Sequence, residues 1–295
     1  MILDEYELRK FSSEEEADFS GFYAEISISA LPPELFQRKQ LISLVCQENS
    51  LEAIPAEIAQ LEWIENLDLQ ANYLSEIDPA INQLKHLQRL ELSRNQLKNV
   101  DFSGLTNLKY LYLSENKLKI FPPSLLILPQ LKILYLDSNN LERLPAIPAS
   151  LGELWVSSNQ LNHIEPIDSN SLFGLNLSSN RLKTLPQINA PKLKYLTIHT
   201  NEFPELPPAI RELNQLESLA LDFKLFDRQQ IQYWPHLKWL DLYKPLQAPF
   251  DSEAILLEIE QIKADGVQLE KELLLTHPEL KLQIHSYSQP RRVTD

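Results

Sequence analysis

The chain has 295 residues, with 43% apolar and 23% charged side chains and a formal net charge of −14. A negative field of that size disfavours nucleic acid and anionic membrane as partners and favours a basic protein. One cysteine allows no disulfide framework within the chain, five glycines leave no phosphate-cradling loop, and no apolar run reaches the ~18 residues of a membrane span.

Near the start, Ser12-Ser13-Glu14-Glu15-Glu16 predicts a helix start, with serine able to cap and the glutamates suited to the positive end of the dipole. Ile26-Ser27-Ile28 alternates like a strand, and Leu31-Pro32-Pro33-Glu34-Leu35 reads as the returning half of a repeat. The opening Met1-Ile2-Leu3-Asp4-Glu5-Tyr6-Glu7 lacks the basic region and apolar run of a secretory signal, so a cytoplasmic location is expected, the alternative being export without a cleaved signal.

From Leu41 to Leu242 one segment recurs ten times, with apolar residues at its first, fourth and sixth positions. In the first eight copies the ninth position is asparagine: Asn49, Asn72, Asn95, Asn116, Asn139, Asn159, Asn180 and Asn201. A period of 20 to 23 residues is the signature of a solenoid, whose coils bury their apolar faces only against one another. Alternation such as Leu111-Tyr112-Leu113 predicts a short strand in each coil, and the asparagine amides are expected to satisfy backbone groups of a tight inner turn. Cys46 holds a sixth position and is expected to be a packed thiol. Prolines in the return segments, as at Pro55, Pro204, Pro207 and Pro208, predict extended or briefly helical convex stretches.

The ladder decays at Lys224 and Pro245, which stand where asparagine is expected. Asp251-Ser252 then predicts a helix cap, with Ile255, Leu256, Ile259 and Ile262 on one face, Gly266 as its end and a second helical stretch from Val267 to Leu275. Pro278 to His285 echoes Pro235 to Leu242 and predicts a closing strand.

The units Leu108 to Leu118, Leu131 to Leu141 and Leu172 to Leu182 resemble leucine-rich repeats, and the resemblance covers residues 31–246. It implies an α/β repeat solenoid: an arc with a parallel concave sheet, short convex segments and terminal caps. The organisation expected is an N-terminal cap over 1–30, the solenoid over 31–250, and a C-terminal helical insertion with closing strand over 251–295. The 20-residue unit opening at Leu131, with Leu144-Pro145-Ala146-Ile147-Pro148 in its return, resembles the short repeats of bacterial leucine-rich proteins, secreted effectors among them. That implies a bacterial source. Ubiquitin-ligase effectors of this kind carry a catalytic domain with a nucleophilic cysteine, and the residues after Phe250 contain none.

Searching for chemistry gives negatives: no zinc spacing among the six histidines, no nucleotide fingerprint, and an Asn176-Leu177-Ser178 sequon placed mid-strand. No enzyme activity, cofactor or metal is expected. The variable rungs carry the candidate site. Fifth positions give Asp68, Glu91, Tyr112, Tyr135 and Trp155, third positions add Tyr110, Glu153 and Tyr195, and seventh and eighth positions add Glu115, Asp137 and His199. These eleven residues are expected to face the concave side or its rim. Contiguous exposed aromatics mark interaction sites, and acidic neighbours would steer a Lys- or Arg-bearing partner. The competing reading is aromatic stacking that only stabilises the sheet. The expected function is recognition of a basic protein or peptide by a monomer, as an inhibitor or immunity-type protein, the alternative being an effector that binds a host protein.

Overall fold

The computed structural model describes residues 13, 15–20, 27–246, 252–275 and 277–288. Each coil contributes one rung to a twelve-stranded parallel sheet, because the apolar fourth and sixth positions must turn inward while the third and fifth turn out. Leu44, Leu67, Leu90, Leu111, Leu134 and Leu154 stack as a column with no solvent exposure.

In chain order the strands are β1 (Glu16–Asp18), β2 (Ser43–Val45), β3 (Asn66–Asp68), β4 (Arg89–Glu91), β5 (Tyr110–Tyr112), β6 (Ile133–Tyr135), β7 (Arg143–Leu144), β8 (Glu153–Trp155), β9 (His163–Ile164) and β10 (Ile167–Asp168). They continue as β11 (Gly174–Asn176), β12 (Ile188–Asn189), β13 (Tyr195–Thr197), β14 (Ser218–Asp222), β15 (Trp239–Leu246) and β16 (Lys281–Ser288). β7 pairs with β9, and β10 with β12, as two small convex sheets; the other twelve form the large one.

Repeat length goes with convex structure in most coils. The exceptions are the 21-residue coils opening at Leu87, whose convex side forms neither a helical turn nor a strand, and at Leu216, which returns through the helical turn Arg228–Tyr233. The 23-residue coils opening at Leu41, Ile64, Leu108 and Leu193 return through one helical turn, at Ala56–Gln60, Pro79–Gln83, Pro123–Ile127 and helix α1 (Pro208–Arg211). The shorter coils opening at Leu131, Leu151 and Leu172 pair extended backbone instead, as β7 with β9 and β10 with β12.

The asparagine ladder performs the role its spacing predicts. Asn139 Nδ2 donates to the carbonyls of Leu113 (2.9 Å), Leu136 (3.1 Å) and Asp137 (3.3 Å), and its Oδ1 accepts from Leu118 N at 3.0 Å. One amide thus closes its own turn and ties it to the coil before. The residue preceding each asparagine, from Glu48 to Thr200, takes a left-handed φ of 53 to 58°. Cys46 is fully buried, and burial pushes its thiol well above the ordinary range, so it is inert.

Three local expectations are corrected. Ser13 Oγ accepts from Glu15 N and Glu16 N as a cap would, but the chain runs into β1, because the open edge of β2 offers a full ladder to Glu16–Asp18. The strand expected at Ile26-Ser27-Ile28 is absent from Ser27 and Ile28; Ile28 N donates instead to Asn49 Oδ1, as the return residue of the first coil. Gly266 does not end a helix: helix α2 (Ser252–Leu274) passes straight through it. A Cβ there would come 2.7 Å from Ile284 Cδ1, so the glycine lets α2 lie close on β16. Ser12, Glu14, Ile26, Asp251 and the side chains of Ile255 and Leu256 lie outside the described residues, while Ile262 is buried as expected. The closing strand forms as predicted, β16 pairing in parallel with β15 after the α2 insertion.

Where asparagine is lost, longer strands replace the inner turn. β14, β15 and β16 pair over five and then eight residues, and buried Asp222 accepts from Thr200 N at 2.9 Å.

Candidate functional site

The outward positions of β3, β4, β5, β6 and β8 form one connected group of side chains. Tyr112 and Tyr135 meet edge to face with centroids 5.1 Å apart, and Tyr135 stacks on Trp155 at 4.8 Å with ring planes 21° apart. Their adjacency follows from register, since Tyr112 pairs with Tyr135 and Tyr135 with Trp155 on successive strands. Trp155 remains 40% exposed and Tyr195, on β13, 46%. Tyr110 is half-buried on β5.

The acidic residues divide into two kinds. Asp68 and Glu91 each accept from the backbone N–H two residues on, Gln70 and Ser93, and Asp137 accepts from Ser157 N and Oγ. Burial raises all three above the ordinary carboxylate range, against the pull of those hydrogen bonds. They brace the rim as well as charging it, and Glu91 is only 6% exposed. Glu153 instead stands among the aromatics, its Oε2 accepting from the Tyr135 hydroxyl at 3.1 Å, and the Tyr135 phenol is pushed up to about 12 by burial and that carboxylate. Glu115 is exposed at a left-handed turn position.

His199 belongs to a second cluster. Its ring stacks on Tyr243 at 3.5 Å, Tyr243 stacks on His285 at 4.6 Å, and His285 Nε2 lies 2.9 Å from Asp241 Oδ1. Reading the third-position column would also have found Arg89, whose guanidinium lies over Tyr112 at 4.2 Å. Tyr243 is the seventh residue of the last repeat and was equally available; His285 needs the β15–β16 register, which the intervening helix obscures.

Burial and then His285 lower the His199 pKa from 6.5 to about 4. The folded ring therefore holds its proton less tightly than the unfolded one, and its contribution is complete above pH 6.5 and lost as pH falls toward 4. Because the ring is partly solvated, the loss is expected to be about 1 to 2 kcal/mol. Raised Asp68, Glu91, Asp137 and Asp222 act oppositely, gaining stability as pH falls through their folded values. His199→Gln isolates the histidine: urea midpoints at pH 7 and 4.5 should drop less in the variant than in the wild type, and equal drops would refute the assignment.

Elsewhere, a hollow of about 500 Å³ at one edge is lined by Lys194, Glu217 and Lys238, whose charges are already paired at 2.7 and 2.8 Å. A convex hollow of about 330 Å³ borders exposed Ile120 and Leu126. Among the described residues, no cluster of three or more His, Cys, Asp or Glu side chains could hold a metal, and no helix is long and apolar enough to cross a membrane.

Residues 63–118 and 101–141 match the family model described as leucine rich repeat. No curated protein matches the chain by sequence. The solved leucine-rich repeat domain of APL1B aligns with a TM-score of 0.65 at 22% identity, over 98% of this chain and 74% of that one. An internalin, inlF, from Listeria monocytogenes aligns with a TM-score of 0.58 at 17% identity, over 98% and 85%. TLR13 in its complex with ssRNA13 gives 0.60 at 23% identity, over 74% of this chain and 38% of that one. At such identities the likeness is one of fold alone. The asparagine-closed inner turns, the parallel sheet and the coils matched over residues 63–141 together give the chain the leucine-rich repeat fold.

Proposed function

We propose that this chain is a non-enzymatic recognition protein that binds a basic protein or peptide across its concave sheet. The observation that supports this most is the Tyr112–Tyr135–Trp155 stack, whose outer member keeps 40% of its surface in solvent. Mutual stacking is worth about 0.5 to 1.5 kcal/mol per pair, and gives no reason to leave the end of the stack open. Tryptophan and tyrosine on an open face are the side chains that carry binding energy most often.

The net charge of −14 favours a basic protein over nucleic acid or an anionic membrane. In its concrete form the protein is a monomeric, cytoplasmic bacterial inhibitor or immunity-type protein that blocks a basic enzyme or toxin. The short, proline-marked coil at Leu131 favours a second reading, an effector that would engage a host protein through the same face.

Capture from cytosol, comparing the wild type with the Tyr112→Ala, Tyr135→Ala, Trp155→Ala triple variant, tests the proposal. A partner enriched by the wild type should bind the triple variant at least about tenfold more weakly, since each aromatic anchor is worth roughly 1 kcal/mol or more. Equal retention of every partner by a folded variant would sink the concave-face reading.

A further inference from the structure

The concave face carries a seat for a guanidinium, which the chain fills itself. Arg89, third on its rung, lays its guanidinium over Tyr112 at 4.2 Å and reaches Glu91 Oε2 at 3.5 Å. The seat is a carboxylate and an aromatic ring one rung away, and a planar cation completes the set of three by touching both.

A second carboxylate and aromatic pair lies further along the sheet. Glu153 shares β8 with Trp155, and one of its oxygens is held by the Tyr135 hydroxyl. Its aliphatic part crosses Gly174, where a Cβ would come 3.3 Å from Glu153 Cγ. Gly174 thus seats Glu153, and Tyr195 pairs in register with the glycine on the far side. Tyr135 stacks on one face of Trp155, the opposite neighbour in register is the smaller Asn176, and Trp155 stays 40% exposed. Among the described residues the cations resting on rings lie over Tyr112, Tyr233, Phe223 and Trp239, and none over Trp155 or Tyr195.

We propose that Glu153 anchors an arginine side chain of the partner, paired through its second oxygen and lying against the exposed rings of Trp155 and Tyr195. The inference rests on the concave-face reading and deepens it by naming the side chain that is recognised. Arginine fits where lysine does not: a planar guanidinium stacks on an aromatic ring and offers parallel N–H donors to a carboxylate, while an ammonium is a compact, strongly hydrated point charge. The Arg89–Tyr112–Glu91 arrangement joins the same groups at another spacing: there the ring lies one rung from the carboxylate, here Trp155 shares its strand and Tyr195 lies two rungs away.

The test is calorimetric titration of the full chain with end-blocked tri-arginine and tri-lysine peptides. Tri-arginine should bind at least about tenfold tighter than tri-lysine. Glu153→Gln should erase that preference, Gly174→Val should do the same by displacing Glu153, and Glu76→Gln on the exposed convex side should leave it intact. Unfolding midpoints of all variants separate loss of the seat from loss of the fold. Equal affinity for both peptides, no binding, or a preference that survives Glu153→Gln would overturn the proposal. Should the peptides fail while the triple aromatic variant still loses its partner, the anchor falls and the concave reading stands. Should that variant keep its partner, the concave reading falls too.

Discussion

Trp234→Ala is expected to lower the unfolding free energy by about 4 kcal/mol, because it empties a fully buried indole site. Trp234 occupies the convex position that Leu61, Leu84, Leu128 and Leu213 hold in other coils, and among the described residues it is the largest fully buried side chain. Its Nε1 also donates to the Ile210 carbonyl at 2.9 Å, tying its coil to the one before. Removing it leaves a cavity between coils and severs that tie, in a region where the asparagine ladder no longer helps. Since each coil contacts only its neighbours, the C-terminal rungs β14 to β16 should open first. Urea unfolding followed by circular dichroism measures the loss. Trp234→Leu, which restores the residue of the other coils, should cost about half as much. A loss below about 1 kcal/mol for the alanine variant would mean the coils collapse onto the gap and the site is not rigid.

Asn139→Ala should cost about 3 kcal/mol, through polar groups stranded rather than apolar surface lost. Asn139 is 6% exposed, and its amide serves three carbonyls and one N–H. Truncation leaves the Leu118 N–H and the inner-turn carbonyls without that partner, at a cost of roughly 1 to 3 kcal/mol for each buried group that water cannot reach. Asn139→Asp should do no better: a carboxylate keeps the acceptor for Leu118 N but turns a second oxygen on three carbonyls. The same urea measurement decides. A neutral Asn139→Asp would show that one accepted bond suffices and that the donated ones are dispensable.

The solenoid was legible because its signal is redundant. Leu111, Leu134 and Leu154 repeat in phase, so a column of buried leucines follows from the period without any knowledge of contacts. Elements that occur once were less legible. Ser13 makes the local bonds of a helix cap, yet the free edge of β2 decides that Glu16–Asp18 is a strand, and no local preference carries that information. Gly266 reads as a helix end by propensity, but its missing side chain serves the packing of α2 on Ile284. The helical form of the 23-residue coils and the extended form of the coils opening at Leu131, Leu151 and Leu172 follow repeat length, whereas the 21-residue coil opening at Leu216 is helical and its length alone does not announce it.

For the candidate site, periodicity again explains what could be read. Because strands stack in register, fifth positions become neighbours, and Tyr112, Tyr135 and Trp155 touch as their column implies. What the column could not show is how side chains spend their polar atoms. Asp68, Glu91 and Asp137 look like free surface charge in a sequence, yet they fold back on backbone N–H groups. Arg89 turns the acidic end of the stack into a self-paired seat. The His199–Tyr243–His285 stack was hidden because 41 residues separate Tyr243 from His285 and the phase is lost at Pro245.

The most direct measurement of the central claim is site-specific photo-crosslinking to a captured partner from one position on each face. Thr197, a fifth position on the sheet, reports on the concave side, and Ile120, 71% exposed, reports on the convex side beside its apolar hollow. Concave recognition requires that a photoreactive residue at 197 join the partner and that one at 120 not do so. Crosslinking from 120 with none from 197 would place the partner on the convex surface and contradict it.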